Sequence, residues 1–236
     1  QFGFIAGTFV FAVLTIADRF SPSRVFFFSS IIAAICNVGI TTDSIGLVGL
    51  LTSRFLTGFF LAGIYPVGMK IASDHYQKGL GKSLGFLVGA LVVGTGFPHL
   101  LKSIISDLPW KAVAYSTSGL SLMGGLAMTL LVPDGPFRKR SRQLELTSFL
   151  KGYSNKDFRA ASLGYFGHMW EAYTFSAFVP VMLATFETQF ADFNIPLLSF
   201  VIIAAGGPAC VLGGLLSLRF GPKRIAILAL LLSCLC

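Results

Sequence analysis

"ADRFSPSR", residues 17–24, interrupts an apolar run with an aspartate, two arginines and a proline, after which "VFFFSSIIAAIC" carries the apolar run on. Unpaired charges are not carried through an apolar environment, and a proline disfavours a continuous helix, so the stretch reads as a turn between two buried segments. Two hundred residues on, "SLRFGPKR", residues 217–224, repeats it in register. Arg19, Phe20, Pro22 and Arg24 recur as Arg219, Phe220, Pro222 and Arg224.

The surroundings fix the solvent. Of 236 residues, 54% are hydrophobic and 12% charged, whereas soluble domains carry about a quarter charged residues. Mean hydropathy is +0.78. This composition is that of a membrane protein. The net charge of +8 would point to nucleic acid in a soluble protein, but here it is sorted by loop, and no nucleic-acid partner is expected. Cys36, Cys210, Cys234 and Cys236 lie in apolar segments without neighbouring His or acidic residues, so they read as small packing residues rather than metal ligands or a disulfide framework. "GLGKS" in "HYQKGLGKS" lacks the phosphate-loop frame, which argues against ATP as the energy source within this segment.

A bilayer core about 30 Å thick needs about 20 apolar residues in a helix. Eight such runs occur, at 1–17, 25–42, 46–70, 81–101, 110–132, 159–185, 195–217 and 225–236. They are long and lack the alternation of membrane strands, so the expected fold class is all-α, a polytopic transmembrane helix bundle. The first run has no initiator Met or basic leader and the last stops as abruptly. The chain is therefore expected to be a piece of a longer protein, cut within a helix at both ends.

Lys and Arg alternate between the loops. One set holds Arg19, Arg24, Lys70, Lys78, Lys82, Arg138, Lys139, Arg140, Arg142, Lys151, Lys156, Arg159, Arg219, Lys223 and Arg224. The other holds Lys102 and Lys111, and Arg54 lies inside a run. Fifteen against two places loops 18–24, 70–82, 133–159 and 219–224 in the cytoplasm, for a multi-pass protein of the plasma (inner) membrane. The longest polar stretch divides the chain into an N-terminal half, 1–132, a cytoplasmic linker, 133–158, and the start of a C-terminal half, 159–236. The linker's basic run fits a solvated loop obeying the positive-inside rule ahead of a site for anionic headgroups.

"ADRFSPSR" resembles the charged loop between the second and third helices of the major facilitator superfamily, whose pattern is roughly G-x-L-A-D-R-x-G-R-R. Ile16, Ala17, Asp18, Arg19 and Arg24 fit; Leu14 and Ser21 replace the two glycines. The second copy fits through Gly214, Leu216, Arg219, Gly221, Lys223 and Arg224, with Leu218 where Asp is expected. The resemblance implies two six-helix halves, of which this chain would hold the second to ninth helices, and a carrier that binds a small solute between its halves. It also implies a cytoplasmic gate of Asp18, Arg19, Arg24, Asp74, Arg219, Lys223 and Arg224. Physically, a carboxylate beside a guanidinium can pair in one conformation and not another, which makes a latch; Arg19 and Arg24 are the expected partners of Asp18.

Two further signals lie inside the runs. Arg54, in "LTSRFLTGFFLAGIYPVGMK", costs at least about 2.5 kcal/mol in a span and is seldom idle there. "RFLTG" resembles the superfamily's fourth-helix R-x-x-x-G, with Gly58 allowing close packing. In "GYFGHMWEAYTFSAFVPVM", His168 and Glu171 are three apart and share a helix face that Tyr165 extends. Arg54, Tyr165, His168 and Glu171 are therefore the expected substrate or proton pathway, with an organic or inorganic anion as the class Arg54 favours. Gly85, Gly89, Gly94 and Gly96 loosely resemble the fifth-helix glycine motif of the family's antiporters, and close packing is their plainest role.

The expectation is a secondary transporter, monomeric, not an enzyme, with no cofactor beyond a proton gradient, and with a small solute and the lipid bilayer as its partners. The alternative is a non-transporting receptor or scaffold that keeps the carrier fold.

Overall fold

A computed structural model describes residues 1–76, 78–105, 109–138, 152–190 and 193–235, with the backbone alone at 187–190. Half of the expected linker, 139–151, lies outside the described residues. Among those described, the regular structure is helical and there is no strand. In chain order the helices are α1 (Phe2–Val13), α2 (Ile16–Arg19), α3 (Pro22–Gly39), α4 (Leu47–Leu61), α5 (Tyr65–His75), α6 (Leu80–Ile104), α7 (Trp110–Leu131), α8 (Lys156–Phe190), α9 (Ile195–Ala204), α10 (Gly206–Phe220) and α11 (Pro222–Leu235).

Four segments of the described residues are long and apolar enough to cross a membrane: Pro22–Gly39, Leu47–His75, Leu80–Ile104 and Ile195–Phe220. The other expected runs form helices with a weaker signal for identifiable reasons. α1 and α11 are short, at 12 and 14 residues. α7 is diluted by Ser116, Thr117, Ser118 and Ser121, and α8 by Lys156, Asp157, Arg159, His168 and Glu171.

Prolines explain where the expected runs break. The 46–70 run is two helices, because the Pro66 ring would clash with the carbonyl four residues back, at Ala62. There Ala62, Gly63 and Ile64 donate to carbonyls three residues back instead of four. The 195–217 run is likewise divided at Ala205, four residues after Val201 and three before Pro208. Pro22 and Pro196 occupy the first turns of α3 and α9, where a missing N–H costs nothing, and Asn194 caps α9 by accepting from the Leu197 amide at 3.0 Å. The 1–17 run breaks at Thr15, whose φ of +47° is left-handed. A β-branched residue there stores strain of about 1–3 kcal/mol, and this places α2 at an angle that brings Asp18 toward α5.

The chain forms two compact units, Gln1–Leu80 with Leu108–Leu144, and Gly81–Asp107 with Glu145–Cys236. In the first, α1 lies directly on α4: an ideal Cβ on Gly3 would stand 2.0 Å from Phe55 O and one on Gly7 2.3 Å from Phe59 O. Gly58 closes the same contact against Phe4 N. α3 packs on α4, α5 and α7, with Ser29 and Ser30 buried beneath Gly63 and Gly125. Such small-residue packing suits helices in lipid, where burial of apolar surface supplies little drive and van der Waals contact must do the work. A tight apolar cluster of Val25, Val67 and Ile71, flanked by Phe11, Phe26 and Met128, sits at the Asp18 end.

In the second unit α6 runs antiparallel to α9 and α10. Gly81 and Gly85 meet Gly214, Gly89 meets Gly207, and Gly96 meets Phe200 and Ile203. Gly94 is not part of this seam, for a Cβ there would meet nothing within 4 Å. Large apolar side chains instead cover the outside, Trp170 at 80% exposure among them, as a lipid-facing surface requires.

Candidate functional site

Chemistry-bearing residues gather in three places. The first is the end of the first unit where α2, α3, α5 and the segment after α7 converge. Asp18 pairs with Lys70, Oδ1 to Nζ at 2.8 Å, and Lys70 also reaches Asp74 Oδ1 at 3.4 Å. The expected partners Arg19 and Arg24 are exposed and form no ion pair among the described residues. The difference is one of geometry: the Thr15 break turns Asp18 toward α5, which presents Lys70 and Asp74 one helical turn apart. Asp74 is 7% exposed and its Oδ2 has no partner among the described residues. A cavity of about 160 Å³ opens beside the pair, between Thr8, Thr15, Ala62 and Pro66.

A strap that sequence reasoning read only as linker crosses this end. Arg138 Nη1 pairs with Asp134 Oδ2 at 2.5 Å, and its Nη2 donates to the carbonyls of Phe20, at 2.5 Å, and Asp18, at 3.4 Å. Ser21 Oγ donates to Asp134 Oδ1 at 2.6 Å, and the Phe137 amide to Asp74 O at 3.0 Å. The "ADRFSPSR" turn is thus held from both sides. The signal was present as an Asp and an Arg four apart in "PDGPFR", but only the fold shows what they clasp.

The second place is toward the opposite ends of α3, α4 and α7. Arg54 lies about 10 Å along α4 from Leu47 and is exposed; its Nη1 donates to Asn37 Oδ1 at 3.1 Å. Asn37 continues the network to α7, its Nδ2 lying 3.0 Å from Ser118 Oγ and 3.2 Å from Thr117 Oγ1. Nearby, Thr41 Oγ1 and Tyr115 Oη share a hydrogen bond at 2.9 Å, and Asp43 pairs with Lys111. Asn37 was legible only as one amide in an apolar run.

The third lies in the second unit, where α8 faces α11. His168 Nδ1 is 3.6 Å from Glu171 Oε2, beyond hydrogen-bond range, and Ser233 Oγ donates to Glu171 Oε1. Both side chains are about half exposed. Tyr165 packs beside Phe166 and is not hydrogen-bonded to either of them among the described residues.

The profile of the Major Facilitator Superfamily matches residues 1–236, the whole chain. The chain belongs to that superfamily. Comparison with curated proteins and with solved structures gives no match. Superfamily members are transporters rather than enzymes, and with four segments able to span a bilayer this one is an integral membrane secondary transporter. Within this superfamily chain the two charged turns are unequal. In the second copy Gly221, at φ +85°, makes the turn, Arg219 lies over the Phe220 ring at 5.4 Å, and Leu218 is 54% exposed. Arg219, Lys223 and Arg224 form no ion pair among the described residues, so the carboxylate-based cluster is confined to the first copy.

Proposed function

We propose that the chain belongs to a proton-coupled carrier of a small organic or inorganic anion, working by alternating access. The observation that carries the anion is Arg54: among the described residues its partner is the neutral Asn37 amide, so the guanidinium charge is left uncompensated within a span. A charge kept in so costly a place without a counter-ion favours a solute that supplies one. His168 and Glu171 support the proton, because an imidazole and a carboxylate three residues apart on one helix are both groups able to accept and release one. The Asp18, Lys70 and Asp74 cluster, clasped by Arg138, supports a latch at the cytoplasmic end, since Lys70 can keep one carboxylate while releasing the other. In this reading the basic loops face the cytoplasm across the plasma membrane, and one chain suffices for transport.

The test is uptake by the full-length protein in liposomes, using labelled inorganic phosphate, sulfate, succinate and lactate with and without an imposed pH gradient. Gradient-driven accumulation is expected, and Glu171→Gln is expected to abolish the gradient's effect while leaving exchange at equal pH. Equal uptake with and without the gradient would remove proton coupling.

A further inference from the structure

Asn37 stands on the last turn of α3 with its carboxamide between two other helices. On the α7 side Nδ2 donates toward Ala114 O at 3.2 Å, Thr117 Oγ1 at 3.2 Å and Ser118 Oγ at 3.0 Å. On the α4 side Oδ1 accepts from Arg54 Nη1 at 3.1 Å. This orientation is forced. A backbone carbonyl only accepts and a guanidinium only donates, so the flipped amide would set oxygen against oxygen and N–H against N–H. The Thr117 hydroxyl spends its own proton on its helix, 2.9 Å from Val113 O and 3.1 Å from Ala114 O, which leaves its lone pairs to receive Asn37. Ser118 is 3% exposed, so the anchoring side of the amide is fixed by packing as well as by hydrogen bonds.

An aspartate of the same shape would hold Arg54 too, but it would cancel the charge and meet Ala114 O with a second acceptor. The amide holds the guanidinium by one nitrogen and leaves its charge, and the edge formed by Nε and Nη2, without a protein partner among the described residues. That edge has the fork geometry that matches carboxylates and other oxyanions.

We infer that Asn37 is the positioning residue of the Arg54 site: it aims the guanidinium while keeping it uncompensated, and so makes the site selective for an oxyanion or carboxylate. The ligand class rests on the anion reading above, whereas the positioning rests on the contacts alone, and the two are tested separately.

Positioning is read by phenylglyoxal labelling of the full-length protein in liposomes, with Arg54 and the exposed Arg19 mapped by peptide mass. Relative to Arg19, Arg54 labelling is expected to rise by about threefold or more in Asn37→Leu, which frees Nη1, and to fall by about threefold or more in Asn37→Asp, which adds an ion pair. The ligand role is read by uptake of labelled inorganic phosphate and succinate. Asn37→Asp is expected to raise KM about tenfold with kcat within about twofold, and Asn37→Gln, which keeps the amide, to recover most of the difference. Unchanged Arg54 labelling in both variants overturns the positioning, whatever the solute. A labelling response with KM unchanged, or with neither anion carried by the parent, overturns the oxyanion selectivity and leaves the positioning contact supported.

Discussion

Asp18→Asn is expected to lower transport by about fivefold at normal amounts of folded protein, while Leu218→Asn stays within about twofold of the parent. The two positions are equivalent in the repeated turn but not in their contacts. Asp18 is paired with Lys70 at 2.8 Å, with side chains 30% and 23% exposed, and its own backbone carbonyl receives Arg138. Leu218 is an exposed residue of a copy without an ion pair among the described residues. A partly exposed pair contributes only about 1 kcal/mol to stability, so the fold should survive. Placed on an equilibrium between two conformations of similar energy, though, the same contribution of about 1 kcal/mol changes their ratio about fivefold. The effect therefore belongs in flux rather than in stability. Initial uptake rates, normalised to the amount of monodisperse protein, check it, and comparable losses at the two positions would mean that the Asp18 pair is not a latch.

The largest effect on folding is expected at Gly7. An ideal Cβ there falls 2.3 Å from Phe59 O and 2.9 Å from Phe59 Cα, so any side chain drives α1 off the α4 backbone, which cannot yield as a side chain can. Gly7→Leu should cost about 3 kcal/mol or more, at or beyond the upper end of ordinary overpacking. Gly124→Leu makes the same change on α7, where a Cβ would meet nothing within 4 Å, and should stay within about 0.5 kcal/mol. Thermal unfolding of the full-length protein in detergent compares the two. Equal midpoints would mean that α1 and α4 are not in direct backbone contact.

The sequence makes the membrane class, the helical fold and the superfamily legible for one reason: each depends on composition over long windows or on a motif in contiguous residues. The repeated turn and "RFLTG" needed no partner from elsewhere to be recognised. Partners are another matter. Asp18 was expected to pair with its neighbours Arg19 or Arg24, yet Thr15 in a left-handed conformation turns it toward Lys70, and nothing in the residue type Thr announces that. Asn37 and Arg138 acquire meaning only from contacts 17 to 120 positions away along the chain. The breaks before Pro66 and Pro208 were legible in principle, because the clash four residues back is local, and reading 46–70 and 195–217 by hydropathy alone passes over them. The glycines divide the same way: Gly58, Gly85, Gly89 and Gly96 pack closely and Gly94 does not, since spacing gives the face of a helix but not what lies against it.

Arg54 is expected to hold an anionic solute during transport, which is tested by comparing the full-length parent with Arg54→Gln in liposomes. The solutes are labelled inorganic phosphate, sulfate, succinate and lactate, with sorbitol and tetraethylammonium as neutral and cationic controls. A hydrogen-bonded charge is worth about 1.5–3 kcal/mol, so kcat/KM for a carried anion should fall by about ten- to a hundredfold in Arg54→Gln, with neither control carried by either protein. Uptake of sorbitol or tetraethylammonium at equal rates by parent and variant, with no anion carried, would contradict it.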